Sequence, residues 1–396
     1  MSPVSLELHS SLTDHSVLAD SAVGLETVGM TGLLATRGRR AYRARVPGAA
    51  SVGYRWGLRD TVSPTWWPQG IATGQQHGNP VIITSWFAQP RRGIKMGARI
   101  SIIDLRDRAR PHYHHVLLVE PKRRSGTVVF EPVEVHAGGI VWTGDRLLVA
   151  ATHGGIREFH LGDILRTPTA GVRRRPTGLF GYRYILPQAA VHGPPDGHKK
   201  KGMRYSFLSL ESGVDPAGAP LLSATGDSAS SLASAEPDVP AETAHPGQSA
   251  HPDQLALPDQ LALPDQAAPP DQAAPPVRLI TGEYAKDTGG RLGRINLIQG
   301  RSTLHDLHVP NIVEMQGAVV HNGVWFVNAS RGDKHGGDLW VGTPSRMTRH
   351  AGVLPPGPED NAVSADDNQV WSVTEFPWKR WIYAIDLSRW RDAPGA

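Results

Sequence analysis

One pattern recurs along this chain and narrows the folds open to it. A short polar–glycine lead-in opens an apolar strand, a tight turn follows, and a second apolar strand ends in small polar residues. Gln69-Gly70-Ile71-Ala72 leads to residues 81–86; Gly138-Gly139-Ile140 turns at Gly144-Asp145 and returns over 147–152. Gln316-Gly317-Ala318 turns at Asn322-Gly323 and returns over 324–328; Asp360-Asn361-Ala362 turns around 366–368 and returns over 370–374. Asn-Gly and Gly-Asp between apolar runs suit tight hairpins, because these residues tolerate positive φ. Third strands follow at 100–105, 156–161, 292–297 and 381–387, with a weaker copy at 338–341, which makes five. A fourth strand is expected after several of them, as at 115–119. The third unit is irregular: 203–208 reads as its first strand and 278–284 as its second, while an alternative start at 188–191 leaves later strands unpaired. Repeated antiparallel units of four strands, arranged radially, protect their edges as a propeller. The expected fold is an all-β, five-bladed β-propeller of four-stranded antiparallel blades, against the alternative of a β-sandwich followed by a second β domain. The last unit stops after its third strand, so residues 41–46 are expected to supply a fourth and close the ring. Residues 1–40 are expected to form a flexible extension, with one propeller over 41–396.

The 43 Gly and 33 Pro among 396 residues suit a chain of many strands and turns. A segment over 213–276, rich in Ala, Pro, Ser, Asp and Gln and carrying a Pro-Asp-Gln repeat every six residues, breaks the pattern. It reads as a disordered insertion between the first two strands of the third unit, a tolerated decoration or tether. With no cysteine, disulfides, thiolate metal sites and a Cys nucleophile are excluded. A formal charge of +4 is too mild for a dedicated nucleic-acid binder. No apolar run reaches the length of a membrane span. The first 35 residues, with Glu7, Asp14, Asp20 and Glu26, do not read as a signal peptide, so the chain as it stands reads as cytoplasmic, or exported if its true start differs. Nucleophile-elbow, P-loop and dinucleotide motifs are absent.

A propeller mouth is lined by the lead-ins to first strands and by the loops between second and third strands. The lead-ins give Gln69, His136, Arg204, Gln316, Glu359, Asp360 and Asn361. The loops give Arg91, Arg92, Lys95, His153, Lys286, Asp287, Arg331, Asp333, Lys334, His335, Glu375, Lys379 and Arg380. Two chemistries are open. A basic rim, with Arg331, Lys334 and Arg380 beside Gln69, Gln316 and Asn361, would attract an anionic or carbohydrate ligand. Glu359, Asp360 and Asn361 would offer oxygen ligands to a divalent cation such as calcium, with His136 or His153 as proton carrier for ester or lactone hydrolysis. Other features read as structural: His112, His114 and His115 as a solvated strand start, Arg173–Arg175 and Lys199–Lys201 as solvated runs, and Trp86, Trp142, Trp325, Trp371 and Trp381 as packing between blades. Trp66, Trp67 and Trp378 fall outside the repeat and would suit stacking on a sugar.

The stretch 359–367, together with Gln316-Gly317-Ala318-Val319, resembles the gluconolactonase and strictosidine-synthase-like propellers. The resemblance implies a divalent metal at the channel mouth, although those families are typically six-bladed. The Ala, Pro, Arg and Trp usage also resembles propellers of high-GC actinobacteria, often of secreted type. The function expected is a ligand-binding scaffold for a small-molecule or carbohydrate ligand, with a metal-dependent hydrolase or lactonase and a protein–protein platform as alternatives.

Overall fold

The computed structural model describes residues 7–22, 24–90, 93–168, 179–194, 202–212, 276–364 and 368–390. Its strands pair into five antiparallel units of four. The first unit runs Trp66–Gln76, Asn79–Ala88, Ala98–Asp104, His112–Arg124. The second is Ile140–Thr143, Arg146–Ala150, Ile156–His160, Tyr184–Gly193. The third is Phe207–Leu210, Val277–Gly282, Leu292–Leu297, Arg301–His308. The fourth is Met315–His321, Val324–Ala329, Gly337–Thr343, Arg346–Leu354. In the fifth, Pro358–Ser364, Gln369–Thr374 and Trp381–Asp386 are completed by the N-terminal strand Val52–Arg55. The first strands touch in a ring, each against that of the next unit and the fifth against the first. The fold is an all-β propeller.

The apolar face of each strand explains this arrangement, because the core lies between units. Ile83 and Ile100 of the first unit pack with Leu147 and Val149 of the second, and Val141 and Leu148 of the second with Leu208 and Leu279 of the third. Phe207 and Ile280 meet Val320 and Trp325; Val319 and Phe326 meet Val370 and Tyr383; Trp371 and Val373 meet Ile82 and Trp86. Each such side chain removed from water contributes about 1.5–3 kcal/mol. Trp142 lies against Gly74 of the first unit, where any Cβ would meet its ring at 2.6 Å. The hairpin at Asn322-Gly323 has both residues at positive φ, 50° and 79°.

The N-terminal region departs from expectation. The closing strand is Val52–Arg55 rather than 41–46; Tyr42–Arg43 pairs outside it. Tyr54 of this strand stacks on Trp371, with ring centroids 6.3 Å apart. Residues 1–40 are not a detached extension where they are described: Glu7–Leu12 pairs with both Tyr184–Gly193 and Arg301–His308, and Leu8, Met30 and Leu33 are buried. The physical reason is that the outer edges of the second and third units would otherwise leave their ladder groups unpaired. His114 and His115 are also buried, so the solvated-start reading is corrected for both. The segment 213–275 lies outside the described residues, as do Arg91, Arg92, Arg173–Arg175 and Lys199–Lys201.

Candidate functional site

The inner strands break register where they approach the axis. Shifts fall between Pro68 and Ile71, between Met315 and Gly317, and between Pro358 and Asn361. A bulge frees the residue inside it from the ladder and re-aims its side chain, and here that residue is Gln69, Gln316 or the Glu359-Asp360 pair. Close approach at the hub demands glycine: a Cβ on Gly139 would stand 2.0 Å from the Leu208 amide nitrogen, and one on Gly317 would stand 2.8 Å from Asp360 Cα. Small polar residues of the second strands lace the hub together. Ser85 Oγ donates to the Ala137 carbonyl at 2.6 Å, and Asn328 Nδ2 donates to Asn361 Oδ1 at 2.9 Å and to the Glu359 carbonyl.

Above this hub opens a cavity of about 380 Å³, lined by Gln69, His136, Thr152, Arg204, Ser206, Tyr284, Gln316 and Glu375. Four lead-in residues from four units, Gln69, His136, Arg204 and Gln316, therefore meet as the repeat predicts. At its floor two carboxyls share a hydrogen bond that Glu359 donates to Glu375. Gln69 Nε2 donates to Glu375 Oε2 at 3.2 Å, and Gln316 Nε2 donates to Glu359 Oε1 at 3.3 Å. Burial, reinforced by the neighbouring Glu375 and Asp360, drives Glu359 well above the ordinary glutamate range. Burial also raises Glu375, to about 7, against the opposing pull of Gln69, Arg380 and Glu359. His136 is reached by water but stands in a concavity against Phe87, with ring centroids 4.3 Å apart; desolvation there lowers its pKa. Burial and the nearby Glu314, Glu359 and Glu375 raise Tyr284, which keeps its phenol neutral.

Backbone strain gathers at the same place. Ala137, Thr152, Glu314 and Trp378 have φ of 56°, 48°, 57° and 70°, each in or beside a segment that builds the mouth. For a β-branched residue such as Thr152 this is a true outlier, and held strain of this kind clusters at functional sites.

No protein-family profile matches the sequence, and no curated protein matches it. Among solved structures, the chain is similar to the GH43_1 enzyme from Xanthomonas citri complexed with xylose, at 13% identity over 82% of this chain and 88% of that one, with a TM-score of 0.34. It is similar to a gluconolactonase from Xanthomonas campestris, at 10% identity over 88% of this chain and 97% of that one, with a TM-score of 0.33. It is also similar to a GH43 beta-xylosidase/alpha-arabinofuranosidase from a compost microbial metagenome, at 10% identity over 83% and 92%, with a TM-score of 0.37. These values assign no residue a role, and the site rests on its own geometry.

Several expected site residues lie elsewhere. Glu359, Asp360 and Asn361 do not converge as a metal set. Asp360 faces the hub, where its Oδ2 accepts the amides of Ile140 and Ile71 at 3.1 and 3.3 Å, and the Leu208 and Asn361 amides also bond its carboxylate. Asn361 is turned to Asn328 and Phe326, and Glu359 is taken by Glu375 and Gln316. The Ile140 and Ile71 amides bond Oδ2, while Oδ1 is buried with no hydrogen bond of normal geometry; among the described residues no three His, Asp or Glu side chains are placed to hold a metal. Glu359, Asp360 and Asn361 face three different partners and so do not form one ligand set for the divalent cation that the resemblance implies.

His153 is exposed and outside the cavity lining, where its neighbour Thr152 stands instead. Arg380 is fully buried and donates to the carbonyls of Glu375, Asp60 and Ser63, so it braces the loop rather than presenting charge. Arg331 and Lys334 are exposed away from the lining, and Arg331 lies 3.9 Å from Asp338. Among the described residues, Arg204 is the one basic side chain of the expected rim that lines the cavity. Ser206 and Tyr284 fall inside the expected strands 203–208 and 278–284; the observed strands start at Phe207 and end at Gly282, which leaves both side chains free to line the cavity.

Proposed function

We propose that the mouth binds a small, neutral, polyhydroxylated ligand, the chemistry of a sugar. The observation that carries this reading is the hydrogen-bonded Glu359–Glu375 carboxyl pair held between the amides of Gln69 and Gln316 in a polar cavity. Amides, a carboxyl and hydroxyls in fixed positions present alternating donors and acceptors, which is what a ring of hydroxyl groups requires. An anion is disfavoured there, since it would meet a carboxyl that ionises near pH 7. The volume falls in the lower part of the range of about 300–1,000 Å³ for ligand pockets. Trp378, 71% exposed and three residues after Glu375, adds an apolar ring face on the same loop.

A second reading, proton transfer, is favoured by Glu375 alone. A carboxyl poised near neutrality is suited to general acid or base work. Two carboxyls in hydrogen-bond contact do not have the separation of about 5 Å or more that glycoside hydrolysis uses. Hydrolysis of an ester or lactone of a sugar, with Glu375 activating water, is the reaction this geometry accommodates. The test is a panel of sugar lactones and chromogenic esters assayed across pH. Activity rising through pH 7 and abolished in Glu375→Gln supports turnover. Full activity in that variant contradicts a proton-transfer role.

A further inference from the structure

A second concavity, of about 500 Å³, opens on the outer edge of the first two units and shares no residue with the mouth. Four arginines line it, Arg37, Arg39, Arg99 and Arg183, and among the described residues no Asp or Glu does. Its floor is pre-organised. Arg99 is clamped between Trp66 and Trp86, with ring centroids 4.5 and 4.6 Å from its guanidinium carbon. Asp60 holds it at 3.0 Å. The same carboxylate also takes Tyr113 at 2.7 Å, Arg39 at 3.1 Å and His115 at 3.1 Å. Asp60 thus pairs with two of the four lining arginines, Arg39 and Arg99, while among the described residues Arg37 and Arg183, both exposed at the rim, form no ion pair. Arg99 Nη1 donates to the Tyr182 hydroxyl at 3.2 Å, which leaves that hydroxyl's own proton for another acceptor. At the lip Phe180 is 42% exposed and held at φ 47°, followed by Gly181 at φ 76°. A bulky residue kept in the left-handed region with its ring in solvent is a conformation that packing alone does not call for.

We infer that this cleft binds a phosphate monoester carrying a ring. The dianionic head meets the guanidinium groups of Arg37, Arg39 and Arg183 above the fixed Arg99, and the ring lies against Phe180. Several arginines without a lining carboxylate suit a doubly charged, three-oxygen acceptor better than a single carboxylate.

Phenyl phosphate is the probe, titrated calorimetrically into the full chain at low salt, with inorganic phosphate and benzoate alongside. Saturable binding of phenyl phosphate, weakened about 10-fold by Arg37→Ala and again by Arg183→Ala, is expected, as for loss of one charge-assisted contact each. Phe180→Ala should weaken phenyl phosphate and leave inorganic phosphate unchanged. These side chains are exposed, so thermal unfolding of the variants should match the parent. Absence of binding at millimolar probe, binding indifferent to the Arg37/Arg183 double variant, or benzoate binding as tightly as phenyl phosphate would each overturn the assignment. Binding lost instead in Glu375→Gln would place the anion in the mouth and contradict this proposal and the neutral-ligand reading separately.

Discussion

At the scale of single residues, burial and charge pull in different directions at three acids, and each gives a distinct test. Glu375 is raised by burial to about 7, so between the ordinary glutamate pKa and pH 7 the folded chain holds a proton that the unfolded chain releases. The contribution of Glu375 to stability must therefore fall as pH rises through that window and level off above it. Glu375→Gln should flatten this slope and raise the melting temperature above pH 7 by a few degrees, measured by calorimetric scans at several pH values. Asp60 behaves oppositely. Burial pushes it up, but His115, Arg99 and Tyr113 outweigh that and hold it far below the aspartate range. Its contribution is full above the ordinary aspartate pKa and is lost as pH falls below it. Asp60→Ala leaves Arg99 buried without its counter-charge and should cost about 3–5 kcal/mol in denaturant unfolding. Asp360→Ala would orphan hub amides of Ile71, Ile140 and Leu208, and at about 1–3 kcal/mol per buried donor it should be among the most destabilising single changes. The residue types around Asp360 were visible in the sequence, but its direction was not. Acidic residues in a row on a strand alternate faces, and the bulge between Pro358 and Asn361 decides which of them meets the mouth.

Among the elements, the strand repeats were the most legible part of the chain, because period-two apolar runs and Asn-Gly turns are local signals. The preference for 203–208 over 188–191 as the third unit's start agrees with the pairing, since Tyr184–Gly193 is the outer strand of the second unit. What local patterning could not reveal was partnership at long range. Glu7–Leu12 carries only two apolar residues, yet it bridges two units, and Ser10 Oγ meets His192 Nδ1 at 2.8 Å while His192 Nε2 meets Glu158 at 2.7 Å. Truncating the chain before residue 13 should expose both outer edges, lower the unfolding midpoint and increase aggregation, followed by light scattering on heating. Glycine gives a sharper contrast. Gly139→Ala drives a Cβ into the Leu208 backbone and should prevent folding, whereas at Gly144 nothing lies within 4 Å and only its φ of 56° resists. Gly144→Ala should therefore cost about 1 kcal/mol, from the left-handed backbone alone.

For the molecule as a whole, the ring of first strands brings side chains from distant parts of the sequence to one mouth, and this is why repeat position located Gln69, His136, Arg204 and Gln316 while composition located none of them. Leu210 pairs with Leu279 across the first two strands of the third unit, so the ends flanking 213–275 are those of a hairpin. Replacing that segment with a short Gly/Asn turn should preserve both melting temperature and mouth binding; a large loss of either would show that it serves more than connection. The central claim is that the mouth recognises a neutral sugar-like ligand through Gln69, Gln316 and Glu375. Its most direct test is calorimetric titration of a panel of neutral mono- and oligosaccharides into the parent chain and into Gln69→Ala/Gln316→Ala. The account predicts saturable binding of at least one sugar, weakened at least about 10-fold in the double variant by loss of its paired hydrogen bonds. Binding that survives that variant unchanged, or no binding by any sugar in the panel, would contradict it.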